Sequence, residues 1–293
     1  MKTPQDIIEE FKDLRHHARN LSDLMDTRVG YENRWYAKIC EQEGEAIGKR
    51  NPIYLNALYE MPLPNGEYTQ SEYTAGRKTS VWYGLHSAEY LQEKHLIAKM
   101  KTAFSGEHME AFMAQPGVGD KLIARLAGEI GHPVLTVPAK WVDAPEGSDE
   151  KRVLEEGEMF ARTVGQLWSY IGMGDASRRP KAGMSQEDAM ACGSRNAKQF
   201  AFLLADSAMK KTGGVNKAGK DMPRSPYRDL YEITKGYYTV NRPDWTPAHC
   251  NNATLRKVAK TIVKDFWIAA RNDLIDQGIL VFEEEQRVIA QAA

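Results

Sequence analysis

Cysteine is scarce in this chain of 293 residues: there are three, Cys40, Cys192 and Cys250. An odd number set far apart argues against a disulfide framework and for a reducing cytoplasm. No C-x-x-C, H-x-x-x-H or H-E-x-x-H spacing occurs, so no metal site and no cofactor is read from the sequence. His249 and Cys250 are adjacent good ligands, and a chance neighbourhood accounts for them. Long apolar runs are missing as well. No stretch approaches the ~20 residues of a membrane-spanning helix, and Met1-Lys-Thr-Pro-Gln-Asp lacks the apolar core of a secretory signal. Segments that alternate apolar and polar residues are few, which leaves little room for sheet. The expectation is a soluble, cytoplasmic protein with no membrane partner.

What the chain has in abundance is helical periodicity. Ile7, Ile8, Phe11 and Leu14, then Leu21, Leu24 and Met25, keep the 3–4 spacing of an amphipathic helix with charges between. A second such stretch covers residues 31–49 and a shorter one 53–61. Residues 62–78, rich in Pro and Gly, read as a loop or small hairpin. Helix resumes from Val81 to Met100. Residues 132–147, with three prolines, form a wandering connection that is extended at 134–137. An acidic helix is expected over 148–159, another over 163–171, a strong one over 194–211, and a final pair over 227–238 and 252–277. Thr246-Pro247 or Asn251 would cap the last. The predicted fold class is mostly α: a helical N-terminal arm or cap (1–105), a helix-hairpin-helix-containing α domain (106–278) and a C-terminal tail (279–293). Trp35, Tyr36, Trp82 and Tyr83 read as core aromatics, not base-stacking platforms.

The most informative run is Pro116-Gly-Val-Gly-Asp-Lys121, followed by Leu-Ile-Ala-Arg-Leu-Ala. It reads as a helix-hairpin-helix turn, with an ordinary αα-turn as the bland alternative. Gly117 and Gly119 around Val118 let the chain reverse, because glycine tolerates positive φ. The start of the next helix then offers free N–H groups to a phosphate, beside Lys121. Met109, Phe112 and Met113 are expected to lock onto Leu122, Ile123 and Leu126. Basic residues gather further on: Arg178, Arg179 and Lys181 in one loop, Arg195 and Lys198 opening a helix, and Lys257, Lys260 and Lys264 on one face of the last helix. Residues 1–161 carry 19 Lys and Arg against 26 Asp and Glu, a balance of −7, while residues 162–293 carry 20 against 14, or +6. Each patch alone suits a solvated face; together with the hairpin they point to a nucleic-acid backbone, DNA first and structured RNA as an alternative.

Four blocks in order resemble the C-terminal domain of the bridge-RNA-guided insertion-sequence transposases, which pair a RuvC-like nuclease domain with a helix-hairpin-helix domain. They are the hairpin block from Gln115 to Gly131, Arg162-Thr-Val-Gly-Gln-Leu-Trp-Ser-Tyr-Ile-Gly-Met173, Cys192-Gly-Ser-Arg-Asn-Ala-Lys-Gln-Phe200, and His249-Cys-Asn-Asn-Ala-Thr-Leu-Arg-Lys-Val-Ala-Lys260. The resemblance spans roughly residues 108–272. It implies a role in DNA transposition or recombination and a homo-oligomeric habit. The departures matter as much. No strand bearing a metal-binding Asp is visible in residues 1–105. The family's nucleophilic Ser precedes a Gly, and here that position is Ala182 before Gly183, with Ser185 and Ser177 as weak substitutes. A hydroxyl is what the covalent step needs, so the catalytic residue is unknown. The reading is a non-catalytic or partner-dependent DNA-binding protein, nucleoid-associated, with Mg²⁺ relevant only if a partner completes a nuclease.

A second class stays open: a helix-hairpin-helix DNA glycosylase or base-modifying enzyme. Gly131-His-Pro-Val-Leu-Thr-Val-Pro-Ala-Lys-Trp-Val142 looks like that superfamily's segment after the hairpin. Its catalytic Asp would fall at Pro138, which has no carboxylate, and Asp143 comes five residues late. Lys121 is a conceivable nucleophile there.

Overall fold

A computed structural model of the chain describes residues 2–49, 51–59, 78, 80–143, 152–175, 183–215, 219–283 and 286–289. The fold is mostly α, as the periodicity predicts. The chain divides into two compact units, His16–Ala98, and Met1–Arg15 together with Lys99–Ala293. The expected boundary at 105 thus lies seven residues past the end of the smaller unit, and the first fifteen residues belong to the larger one.

Helix α1 (Pro4–Glu43) is one continuous helix where two stretches were expected. It stops at Glu43, not at 49, because Gly44 takes φ +72°, the left-handed conformation that ends helices. The smaller unit combines the later part of α1 with α2 (Pro52–Leu58) and most of α3 (Val81–Ala103). Asn51 caps α2 by accepting from Ile53 N at 2.9 Å, and Pro52 sits where a missing N–H costs nothing. Ile39, Tyr54, Leu58, Tyr59 and Trp82 form its core, with Trp35, Tyr36 and Tyr83 packed against it. Trp82 is core, as read, and the other three are half-buried against it. Arg28 ties α1 to α3, its guanidinium 2.6 Å from both Glu32 and Glu89, and Trp82 Nε1 donates to the same Glu32 at 2.7 Å.

The larger unit is arranged around its last long helix. Its helices are α4 (Glu107–Met113), α5 (Asp120–Ile130), α6 (Val164–Tyr170), α7 (Gln186–Ala191), α8 (Arg195–Met209), α9 (Pro226–Asn241) and α10 (Pro247–Asp276). α4, α6, α8 and α9 pack on α10, and α5 packs on α8. Val258, Ile262, Val263 and Phe266 of α10 are fully buried, as are Ile123, Leu126, Leu167 and Leu204 from its neighbours. Capping residues set the starts: Thr163 and Gln166 form a reciprocal box on α6, Ser225 precedes Pro226, and Thr246 precedes Pro247. Of the two caps considered for the last helix, Thr246 is used.

Two short antiparallel pairs correct the helix expected over 148–159. β1 (Leu135–Thr136) pairs with β4 (Phe160–Ala161), and β2 (Ala139–Asp143) with β3 (Arg152–Glu156). The register sets Lys140 opposite Glu155 and Asp143 opposite Arg152, with Val142 opposite Val153. A cross-strand β-branched pair such as Val142 and Val153 favours such a ladder. The residues expected as a tail include a third pair, β5 (Leu280–Glu283) with β6 (Gln286–Ile289).

Two buried polar groups secure the junctions of this unit. Arg162, 4% exposed, donates to the carbonyls of Pro133, Ile130 and His132 at 2.9, 3.1 and 2.6 Å, so its charge serves the last turn of α5. Burial lowers its pKa to about 10. Asp273 of α10 accepts from His108 N at 2.9 Å and Met109 N at 3.1 Å. It thereby caps α4, whose own N-cap residue, Gly106, has no side chain to do so. A Cβ on Gly106 would collide with that carboxylate.

Candidate nucleic-acid interface

The hairpin turn is built much as its sequence suggests, with one reassignment. Phe112 O accepts from Gln115 N, and Gln115 O from Val118 N. Val118 is buried and plugs the turn. Gly117 has φ +94°, and a Cβ there would strike the Ala208 backbone of α8. Gly119 is different. It is the N-cap of α5 with φ −86° and ψ 132°, exposed, with nothing within 4 Å of the Cβ it lacks. Only Gly117 needs the left-handed region; Gly119 leaves open the space beside the first amides of α5. Asp120, at the head of that helix, pairs with Lys101 at 2.6 Å. Lys121 is half-buried in the same first turn.

The expected lock between the two hairpin helices also needs correction. Met109, Phe112, Ile123 and Leu126 are buried, while Met113 and Leu122 are half-buried. The main partner of α4 is α10, where Phe112 stacks on Phe266 with centroids 5.7 Å apart, and that of α5 is α8. These pairings join residues far apart along the chain, which no local periodicity reveals.

α5 and α8 run antiparallel. Gly117 meets Ala208 near the end of α8, and Glu129 near the end of α5 accepts from Ser194 Oγ, the N-cap of α8, at 2.6 Å. The hairpin amides therefore lie about 16 Å, the length of α5, from the Arg195 end of α8. The hairpin and the basic start of α8 are not brought together.

The basic end has its own construction. Ser194 N donates to Tyr170 O at 2.6 Å, and Gly193, with φ +102°, lies so close to Gly172 N and Tyr170 O that no Cβ fits between them. The loop after α6 and the turn before α8 are thus laid backbone to backbone. α10 flanks the same loop. Trp168 Nε1 donates to Lys260 O at 3.1 Å, the Lys260 ammonium lies 4.1 Å from the Trp168 ring centroid, and Arg256 donates to Met173 O at 3.2 Å. On the α8 side, the Lys198 stem runs beside Gly172. Lys198 and Arg256, from two helices, reach the short loop after α6 at Gly172 and Met173, and Lys260 lies over Trp168 in α6 itself. Arg195 and Lys257 are exposed on the adjoining turns, and Lys264 is exposed further along α10.

The Lys260 pKa is lowered, first by burial and then by the charges of Arg256 and Lys257 on the same helix. An anion beside Lys260 would offset that local positive charge. Arg256 is the member the sequence reading missed. Its signal was available, since it stands four residues before Lys260 and so shares that face of a helix.

Arg178, Arg179, Lys181, Ala182 and Ser177 lie outside the described residues. Ser185 is exposed just before α7; its hydroxyl donates to Asp188 Oδ2 at 2.7 Å and accepts from Asp188 N at 3.1 Å. That is the geometry of a helix cap. Asp143 sits on β2 in register with Arg152, and Pro138 O accepts from Gly157 N. Among the described residues no group of three His, Cys, Asp or Glu stands close enough to hold a metal ion, and no helix is long and apolar enough to cross a membrane. No protein-family model, curated protein or solved structure matches the chain.

Proposed function

We propose that this chain is a DNA-binding protein related to the bridge-RNA-guided insertion-sequence transposases, one that grips the phosphate backbone and depends on a partner for strand chemistry. The observation that supports the reading is that Lys198 approaches Gly172, Arg256 approaches Met173 and Lys260 lies over Trp168, all at the end of α6 and the turn after it, with the Lys260 charge disfavoured by burial and by Arg256 and Lys257. A phosphate there receives charge from two helices and offsets the positive charge around Lys260. Arg195 and Lys257 extend the same positive surface. The hairpin amides of Gly119 and Lys121 form a second contact about 16 Å away, a spacing that suits one backbone strand followed over several phosphates. None of these groups reads a base edge, so the grip is independent of sequence. A cytoplasmic, nucleoid-associated location belongs to the same reading.

The test is the salt dependence of binding to duplex, junction and structured-RNA oligonucleotides. Lys198→Gln with Lys257→Gln removes two exposed or half-exposed cations without touching the Trp168 or Met173 contacts. Affinity should fall alike on unrelated sequences, and the log–log salt slope should become shallower by about 0.9 for each duplex phosphate that is no longer neutralised. Unchanged affinity and slope across all three substrates would remove Lys198 and Lys257 from the interface and count against the reading. Preference for structured RNA over duplex would move the reading to an RNA partner.

A further inference from the structure

The turn from α9 into α10 carries a pile of rings on the surface of the larger unit. Trp245 and His249 lie face to face, with centroids 4.1 Å apart and planes 2° from parallel. Tyr238 leans on the same indole at 5.3 Å, and the Arg242 guanidinium lies 5.5 Å from its centroid. The arrangement is built locally. Trp245 N donates to Arg242 O at 3.0 Å and closes the turn, while His249 N donates to the capping hydroxyl of Thr246 at 3.2 Å. Trp245 and Tyr238 are half-buried, whereas His249 and Arg242 are exposed. Among the described residues no second ring covers the far face of His249, and neither its ring nitrogens nor the Trp245 indole N–H has a hydrogen-bond partner. Buried rings of a core find partners for such groups; this pile ends on a bare ring in solvent.

Its surroundings are cationic. From Lys235 to Lys264 the chain holds six Lys and Arg against one acid, Asp244. Arg256 and Lys260 follow His249 by seven and eleven residues, so all three share one face of α10. Arg256 lies about 10 Å further along the helix axis than His249. The rings therefore continue the surface on which Arg256 and Lys260 stand.

We propose that the outer face of His249 is a platform for an unpaired base of single-stranded DNA whose backbone runs on toward Arg256 and Lys260. This rests on the DNA-binding reading and adds to it the strandedness of the ligand. A base needs a flat ring presented parallel to its own, with cations near its flanking phosphates. Trp245 and His249 already have the parallel geometry, so a base laid on His249 extends the pile. Arg242 and the α10 cations supply the charge. Bases inside a duplex are stacked on one another and do not present that face. A methylated ammonium, another guest of clustered aromatics, wants ring faces enclosing it as a cage. Parallel planes do not enclose it, and Arg242 repels it.

Fluorescence anisotropy of the full chain over a salt series tests the platform. The probes are a labelled DNA strand of about 12 nucleotides, the RNA strand of the same sequence, and the corresponding DNA duplex. Trp245→Ala combined with His249→Ala should weaken binding of the DNA strand about tenfold and leave duplex binding unchanged. The log–log salt slope should stay the same, since a stacked ring neutralises no phosphate. His249→Phe should restore affinity, because it restores the ring. Circular dichroism and the melting temperature show whether the variants fold. His249 is exposed, so His249→Ala alone must show part of the loss even if replacing the half-buried Trp245 unfolds the chain. Undiminished strand binding in the folded variants overturns the proposal, as do equal losses on strand and duplex. A shallower slope in His249→Phe overturns it by making His249 a phosphate contact, and tighter binding of the RNA strand overturns DNA as the occupant. Should the platform fail while Lys198→Gln with Lys257→Gln still flattens the duplex slope, the DNA-binding reading stands without it. A parent that binds no DNA removes both.

Discussion

At the scale of single residues, His132 shows how burial converts a titratable group into a fixed structural one. Its Nδ1 accepts from Val134 N at 3.1 Å and Leu135 N at 3.0 Å, holding the chain in the bend that leads to β1. Only the neutral ring offers that acceptor. Burial, and then the charge of Arg162, push its pKa down from 6.5 to about 3. Between those values the unfolded chain takes up a proton that the folded chain refuses. The contribution is therefore complete above about pH 6.5 and is lost as the pH falls toward 3, at up to ~1.4 kcal/mol per pH unit. His132→Asn keeps a side-chain acceptor near Nδ1 and removes the titration. Denaturant unfolding at a series of pH values should give a shallower acid limb for the variant, by close to one proton's worth of slope; parallel limbs would assign the acid sensitivity to other groups. None of this was legible in the sequence, where His132 is one of seven histidines. Its environment is assembled from Phe11, Phe104 and Arg162, whose rings and charge come from three separate segments.

Elements were readable to the extent that their signals were local. The starts of α6, α8, α9 and α10 follow their capping residues Thr163, Ser194, Ser225 and Thr246, all visible as Ser or Thr ahead of an apolar run. β3 was not, because Arg152–Glu156 has helix-compatible charges and becomes a strand only through its pairing with β2. The hairpin divides in the same way. Its turn was legible, but the two glycines look alike in sequence and differ in the fold. Gly117 is held by positive φ and by Ala208, so Gly117→Ala should cost about 2–4 kcal/mol, from strain and overpacking combined. Gly119→Ala adds a Cβ in open space at an ordinary φ and should cost less than about 1 kcal/mol. Chemical denaturation of the pair distinguishes them. Equal losses would mean that the turn tolerates or rejects both without regard to Ala208. The second variant is then the useful one for binding, since it crowds the α5 amides in a protein of near-normal stability.

For the whole molecule, charge divides differently by structure than by sequence. The halves at −7 and +6 suggest a basic domain beside an acidic one. By compact unit the larger carries 30 Lys and Arg against 29 Asp and Glu, or +1, and the smaller 9 against 11, or −2. The acidic residues before 162 fold into the same unit as the basic ones after it. Any grip on nucleic acid must then come from a local cluster such as Lys198, Arg256 and Lys260, not from a broad field. Strand chemistry asks for more than a grip: a nucleophile, a group to take its proton, and a means of stabilising the crowded phosphorus. On the proposed reading the cluster would serve the last of these. For the first, Ser185 is the described hydroxyl nearest the expected position, and it is committed at both ends to Asp188 as the cap of α7. Withdrawing it toward a phosphate would leave the Asp188 amide without that acceptor. Incubated alone with supercoiled plasmid and Mg²⁺, the protein should therefore shift the plasmid in a gel without nicking it and leave no covalent adduct after denaturation. Supplying a nuclease partner or a guide RNA tests whether the missing groups arrive in trans. An adduct formed by the purified protein and abolished by Ser185→Ala would show that the cap opens to release its serine, and the partner-dependent reading would give way to a transposase complete in itself.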